Sequence, residues 1–335
     1  MQKARTLFFT APKQVEIRET ILPPLKDDEI LVETICSAIS AGTEMLVYRG
    51  QFPHLADSHD AFSSDLNYPL AYGYACVGRV VELGKMVNGG WLNELVFAFQ
   101  PHTSHFILHH SSLILLPEGL APENACFLPN METAVNLVQD GAPILGERVL
   151  VLGQGVVGLL TASLLSEFPL ENLVTVDRFE LRQKALQVEG ERSKVKSLLV
   201  QDLQPSTFDL VFELSGSPSA LNDAIELTAF SGRVVIGSWY GQKRAEIDLG
   251  GAFHRSRIRL ISSQVSTISP ELSGRWDKPR RFEVAWEALK RIQPEKWITH
   301  HFPIEEASKA YQLLDENPQE TIQVVFNFAG RQTPT

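Results

Sequence analysis

The residues with the plainest chemistry are Gly153-Gln154-Gly155-Val156-Val157-Gly158, three glycines spaced G-x-G-x-x-G. They follow the apolar run Arg148–Leu152 and open the stretch Val157–Glu167, which reads as a helix. At such a strand-turn-helix corner the first glycine permits a tight turn. The second lets main chain approach a ligand, and the third lets helix and strand pack closely. The helix start adds unpaired N–H groups and a partial positive charge, so the chemistry is the holding of a pyrophosphate. Asp177 follows Gly158 by about 20 residues and closes the next predicted strand, where a carboxylate accepts from ribose hydroxyls and repels a 2′-phosphate. The spacing therefore predicts a dinucleotide site that takes NAD in preference to NADP. Arg178 stands beside Asp177. A guanidinium there can hold a 2′-phosphate or cover an adenine face, and the second is expected.

Other reactive types are less organised. His102, His105, His109-His110 and His300-His301 tempt a metal reading. On a strand His105 and His109 would share one face and His110 the other, and no cysteine accompanies them, so they are expected to be solvated or core histidines. Cys36, Cys76 and Cys126 are far apart in the chain, odd in number and without a CxxC pair. They predict buried apolar positions in a reducing compartment, with a cytoplasmic location expected, and not a disulfide framework.

The elements that must position these residues fall into two styles. Up to about residue 120 the chain is rich in short β-like runs such as Glu29–Ile35, Val77–Glu82 and Leu92–Phe99, punctuated by Gly and Pro. That suits a compact β-barrel. Gln51–Tyr68 lacks periodicity and reads as a long loop able to shape a pocket. From Ala125 onward strands and helices alternate. A helix is expected at Ala125–Asp140, strands at Arg148–Leu152 and Asn172–Asp177, and a helix at Glu180–Glu189. Strands at Phe208–Glu213 and Gly232–Gly237 flank a helix at Ser219–Phe230. This alternation argues for a parallel, doubly wound sheet. Helices near Phe282–Arg291 and Ile304–Glu316 and a strand at Thr321–Phe326 form a tail. The expected division is 1–122, 123–265 and 266–335, the last returning to the first.

Composition excludes several classes. The 335 residues carry a net charge of −10 and a 44% hydrophobic share, an ordinary globular balance that repels phosphate backbones, so no nucleic-acid partner is expected. No apolar run approaches the ~20 residues that span a bilayer, and Leu7-Phe8-Phe9 is too short for a signal peptide, so no membrane partner is expected either.

This order, a β-rich domain, a dinucleotide domain and a returning tail, resembles the medium-chain dehydrogenase/reductase superfamily over nearly the whole chain. Ala41-Gly42-Thr43-Glu44 is similar to the segment that reads Cys-Gly-Thr-Asp in zinc enzymes. Gly73-Tyr74-Ala75-Cys76-Val77-Gly78 is similar to Gly-His-Glu-x-x-Gly, and Met131-Glu132-Thr133-Ala134 to the stretch whose threonine touches the nicotinamide. The resemblance implies an α/β protein, a GroES-like β-barrel catalytic domain plus a doubly wound Rossmann domain, with the cofactor in the cleft between them and a homodimer. It also implies that the zinc ligands are gone: Ala41, Tyr74 and Pro129 stand at ligand positions, Ala75 replaces the glutamate, and the cysteine lobe of the structural zinc is missing. Gly73-Tyr74, Trp239-Tyr240-Gly241, Leu249–Arg255 and Ser262–Val265 are similar to the bacteriochlorophyllide-dehydrogenase-like subgroup.

Hydride transfer without zinc still needs a group to polarise a carbonyl or take an alcohol proton. Thr43 matches the position that relays the hydroxyl proton, and Tyr74 would point toward the former metal position, either donating to an oxyanion or filling the hole. Glu44 reads as structural, paired with an arginine, or as a general base; Glu132 is a second carboxylate that would face the cleft. By resemblance Thr133, Ser215, Gly216, Gly237 and Ser238 line the nicotinamide side of the cofactor, while Gly153–Gly158, Asp177 and Arg178 hold its other half. Trp239 and Tyr240 would wall the substrate or anchor a loop. The expected activity is zinc-independent, NAD-linked interconversion of an alcohol and a ketone on a small molecule. The rivals are an NADPH-dependent enone or quinone reductase and a dinucleotide-binding protein without turnover.

Overall fold

The computed structural model describes residues 2–52, 66–186 and 195–328. Most of the Gln51–Tyr68 loop lies outside them, as does the end of the helix expected at Glu180–Glu189. The chain divides into two compact units, 1–129 with 293–335, and 130–292.

The first unit begins with β1 (Lys3–Ala11) and β2 (Gln14–Ile21), an antiparallel pair. β3 (Glu29–Ala38) is followed by the short helix α1 (Thr43–Tyr48), and β4 (Leu70–Ala71) pairs with β1. β5 (Cys76–Leu83), β6 (Leu95–Ala98), β7 (His105–His109) and β8 (Ile114–Leu115) then build antiparallel ladders on β3 and on one another. The strand expected from Leu92 starts at Leu95 because Asn93 takes a left-handed φ of 69°. α2 (Pro122–Ala125) and α3 (Leu128–Gly141) replace the single helix expected from Ala125; Cys126 caps the first piece.

The second unit is the doubly wound sheet. It runs β9 (Arg148–Leu152), α4 (Val156–Leu165), β10 (Asn172–Val176), α5 (Glu180–Ala185) and β11 (Val195–Leu198). β12 (Phe208–Glu213), α6 (Ala220–Leu227), β13 (Thr228–Ile236), α7 (Ala252–Arg255) and β14 (Arg259–Ser262) complete it. The six strands are parallel in the order β11-β10-β9-β12-β13-β14. The order reverses between β9 and β12, the crevice where open α/β sheets bind ligands. Val149–Leu152 are all buried, with separate apolar clusters around Leu150 and Leu152 and around Val149 and Val151. Cover on both faces is why that strand reads as one continuous apolar run. The helix expected at Ser219–Phe230 stops at Leu227, and Phe230 lies in β13.

The return to the first unit comes later than the expected residue 266. α8 (Lys278–Ile292) stays in the second unit, because Arg281, fully buried, reaches Glu132 at 2.8 Å and Ser263 reaches Asp140 at 2.7 Å. Then β15 (Ile298–Pro303), α9 (Ala307–Glu316) and β16 (Gln323–Asn327) close the seven-stranded sheet of the first unit, β16 pairing with β3. Its core gathers Leu7, Phe9, Met45, Tyr48, Tyr311 and Phe326. Among the described residues no helix is long and apolar enough to cross a membrane.

Candidate functional site

In the second unit the three glycines occupy three different situations. Gly153 turns at φ +95°, and a Cβ on it would lie 2.6 Å from the Leu214 carbonyl oxygen. A Cβ on Gly158 would meet the Gly153 carbonyl oxygen at 1.9 Å, so α4 starts pressed against the strand end. At Gly155 nothing lies within 4 Å of that position. Gly155 is also the N-cap of α4, and no side chain caps the helix. The corner thus presents helix N–H groups and their partial positive charge beside an open cradle, which is what a pyrophosphate requires.

Asp177 is buried and already engaged. Its Oδ2 accepts the Gln154 N–H at 2.7 Å and its Oδ1 the Phe179 N–H at 2.9 Å. The acid therefore fastens the glycine turn to the turn after β10. Gln154 is fully buried, and its Oε1 has no hydrogen-bond partner among the described residues. Arg178 lies over the Phe179 ring at 4.5 Å, with Arg182 flanking it at 4.9 Å. Val156 and Val157 form the first turn of α4.

Beyond β12 the structure gathers Ser215, Gly216, Gly237 and Ser238 around Glu213, which is fully buried. Glu213 Oε1 accepts the Ser215 N–H at 2.9 Å and the Ser215 hydroxyl; Oε2 accepts the Tyr240 hydroxyl at 2.5 Å. The Gly216 N–H donates to Ser238 Oγ at 2.9 Å, and Lys243 donates to the Gly216 carbonyl at 2.7 Å. Burial, then the Glu213 carboxylate, pushes the Tyr240 phenol up. Gly237 is glycine because a Cβ would strike Leu137 and Leu214 side chains at 2.5 Å. Glu213 was not singled out from the sequence. An acid ending an apolar strand was its one signal. Trp239 is exposed, unlike the tyrosine beside it.

Glu132 is not a free base. It is buried and accepts from Arg281 at 2.8 Å and Lys278 at 2.7 Å, which neutralise it. Thr133 follows it on α3.

The first unit holds Thr43 and Tyr74. Thr43 opens α1, its N–H donating to Ser40 Oγ at 3.4 Å, and Tyr74 packs edge-on against Tyr72 with ring centres 6.3 Å apart. Tyr74 is partly exposed, but burial of its hydroxyl, then the nearby Glu44 carboxylate, pushes it up to about 12. Glu44 is fully buried, and its partner is not the expected arginine. Glu44 Oε2 lies 2.8 Å from His102 Nε2 and accepts the Tyr311 hydroxyl at 2.6 Å; Oε1 accepts the Ser40 N–H at 2.8 Å. His102 Nδ1 is 2.6 Å from Ser37 Oγ, both residues fully buried. Gly73, at φ +126°, lets His102 approach, since a Cβ there would meet the imidazole at 2.9 Å. The cysteines, distant in the chain, are also brought together: Cys36 and Cys126 sulfurs lie 3.4 Å apart, and burial pushes Cys76 and Cys126 up.

No family model matches the chain. Among curated relatives, L-threonine 3-dehydrogenase of Xanthomonas euvesicatoria pv. vesicatoria (strain 85-10) is 22% identical over 345 residues, covering 91% of this chain and 94% of that protein. A short chain alcohol dehydrogenase (rspB) from Escherichia coli CFT073, solved with cofactor NADH, superposes with a TM-score of 0.74 at 18% identity over 97% of this chain and 99% of that one. A dehydrogenase from Sinorhizobium meliloti 1021, assigned as zinc-binding and solved bound to NADP, gives 0.72 at 16% identity over 98% and 100%. In fold the chain is similar to these dehydrogenases: an α/β protein with a unit of antiparallel β ladders and a unit built on a doubly wound parallel sheet.

Proposed function

We propose that this chain is an NAD-linked oxidoreductase that interconverts an alcohol and a ketone on a small molecule without zinc. The observation that carries the reading is the cradle at Gly155: an uncapped α4, room for phosphate oxygens, and a buried acid at the end of β10. The glycine corner would hold the pyrophosphate, and Asp177 would accept from the adenosine ribose. Thr133, Ser215, Gly216, Gly237 and Ser238 would take the nicotinamide side. When bound, the dinucleotide supplies or accepts the hydride.

The chain's own part is to manage the proton at the substrate oxygen. Tyr74 and Thr43 are hydroxyl residues of the first unit, at the positions where zinc relatives place ligand and relay. With its proton held up to about 12, Tyr74 is a donor throughout the working range and can give a hydrogen bond to a ketone oxygen or a developing alkoxide. Ala41, Ala75 and Pro129 offer no side-chain ligand, and Tyr74 holds its proton up to about 12, so these residues do not fit a catalytic zinc. The acid at β10 favours NAD over NADP by repelling a 2′-phosphate.

Calorimetric titration with NAD and NADP, followed by a screen of alcohols and ketones, tests the reading. Binding of NAD with turnover, and less than about 0.1 zinc per chain by elemental analysis, is expected. Stoichiometric zinc, or no dinucleotide binding, would defeat it.

A further inference from the structure

The strands of the second unit run in the order β10-β9-β12-β13, with Asp177 just after β10 and the glycine corner just after β9. A dinucleotide with its pyrophosphate at Gly155 and its adenosine toward Asp177 would therefore lay its nicotinamide half over the ends of β12 and β13. The main chain joins these places. Gly153 turns against the loop after β12, where a Cβ on it would lie 2.6 Å from the Leu214 carbonyl oxygen and 2.7 Å from Ser215 Cα. The Leu214 N–H donates to the Leu152 carbonyl at 2.8 Å, and the Gly237 and Ser238 N–H groups donate to the Glu213 carbonyl at 3.1 and 3.2 Å. Gly216 turns at φ +71°, and nothing lies within 4 Å of the position a Cβ would take, so this loop presents open main chain as Gly155 does.

Glu213, the last residue of β12, carries the side chain that ties the two loops together. It is fully buried, where a carboxyl group is costly unless hydrogen bonds replace its water. Oε1 accepts the Ser215 N–H at 2.9 Å and the Ser215 hydroxyl, both from the loop after β12. Oε2 accepts the Tyr240 hydroxyl at 2.5 Å, from the loop after β13. Two further bonds cross between the same loops. The Gly216 N–H donates to Ser238 Oγ at 2.9 Å, and Lys243 Nζ donates to the Gly216 carbonyl at 2.7 Å. We propose that Glu213 is a positioning residue: by holding Ser215 and Tyr240 on one carboxyl group, it sets the spacing of the two loops that grip the nicotinamide half of the dinucleotide. This rests on the reading of the second unit as a dinucleotide site.

The Ser215 N–H can only donate, so a residue at 213 without an acceptor leaves it unpaired and releases the loop. Calorimetric titration of the full chain with NAD and with ADP-ribose, which is NAD without its nicotinamide, reads the two halves separately. The wild-type chain is expected to hold NAD more tightly than ADP-ribose. Glu213→Leu is expected to weaken NAD by about tenfold and ADP-ribose by less than about twofold. Glu213→Gln keeps an acceptor for Ser215 and a polar partner for Tyr240, and should restore most of the NAD affinity. Equal wild-type affinities, or NAD affinity untouched in a folded Glu213→Leu, overturn the proposal. Should that variant not fold, Tyr240→Phe decides, because it cuts only the tie to the loop after β13. A loss of about threefold or more confined to NAD supports the proposal, and no loss overturns it. The same titrations separate this assignment from the reading beneath it. A wild-type chain that binds neither ligand defeats both. One that binds both, with NAD and ADP-ribose weakened equally in the variants, keeps the dinucleotide site and reduces Glu213 to a structural residue.

Discussion

Glu44 in the first unit and Glu132 in the second are both glutamates taken out of water near the start of a helix, and their company differs. Glu132 meets Arg281 and Lys278, so its charge is spent locally and ties α8 to α3. Glu44 meets an imidazole, a phenol and an amide, which satisfy its hydrogen bonds. Sequence alone gives the two the same candidacy as general bases. Their neighbours separate them: one ties two helices together through cations, and the other is held by hydrogen bonds from three separate elements of the first unit. Glu213 belongs with Glu44 in this respect, since serine groups and the Tyr240 hydroxyl hold it.

The comparison is most easily broken at Glu132. Arg281→Met leaves a buried carboxylate with Lys278 as its one cation and should cost about 3 kcal/mol in urea unfolding, while Glu132→Met with Arg281→Met should recover most of it. A loss under about 1 kcal/mol would mean that the pair is not the fastening described. On the other side, Tyr74→Phe and Thr43→Val should each lower turnover by about 10²–10⁴-fold and leave NAD affinity intact. An equal loss of both would indicate misfolding and not a lost proton donor.

A smaller effect is expected at the glycine corner. Asp177→Ser removes the 2′-phosphate repulsion and one clamp on the Gln154 amide. NAD affinity should fall and the NADP/NAD preference should rise by about tenfold, on the order of 1.4 kcal/mol. Unchanged selectivity in parallel titrations would take the ribose away from Asp177. The smallest effect is in the pH dependence of stability. The folded chain holds the Tyr74 proton up to about 12, above the unfolded value of about 10. That stabilisation is full below about pH 10 and is lost as pH climbs toward 12. Tyr74→Phe should flatten this alkaline fall, which denaturant midpoints across that window would show.

Much of the second unit was legible in advance because its signals are local. Arg148–Leu152 reads as a buried strand from its unbroken apolar run, and the glycines at 153, 155 and 158 carry their own geometric reasons. The boundaries slipped where a partner outside the window decided them. α6 stops at Leu227 as β13 takes up the chain, and α8 stays with the second unit through Arg281, whose partner lies on α3. The Gln51–Tyr68 loop, expected to shape a pocket, falls mostly outside the described residues.

By itself the amino-acid order determined the alternation of strands and helices in the second unit and the glycine corner after Leu152. Periodicity and turn chemistry act over a few residues, so they can be read without a fold. Only the tertiary structure chose the partners of Glu44: His102 comes from 58 positions away and Tyr311 from 267. A buried charge is satisfied by whichever donors chain folding delivers to it, and no local pattern encodes their arrival.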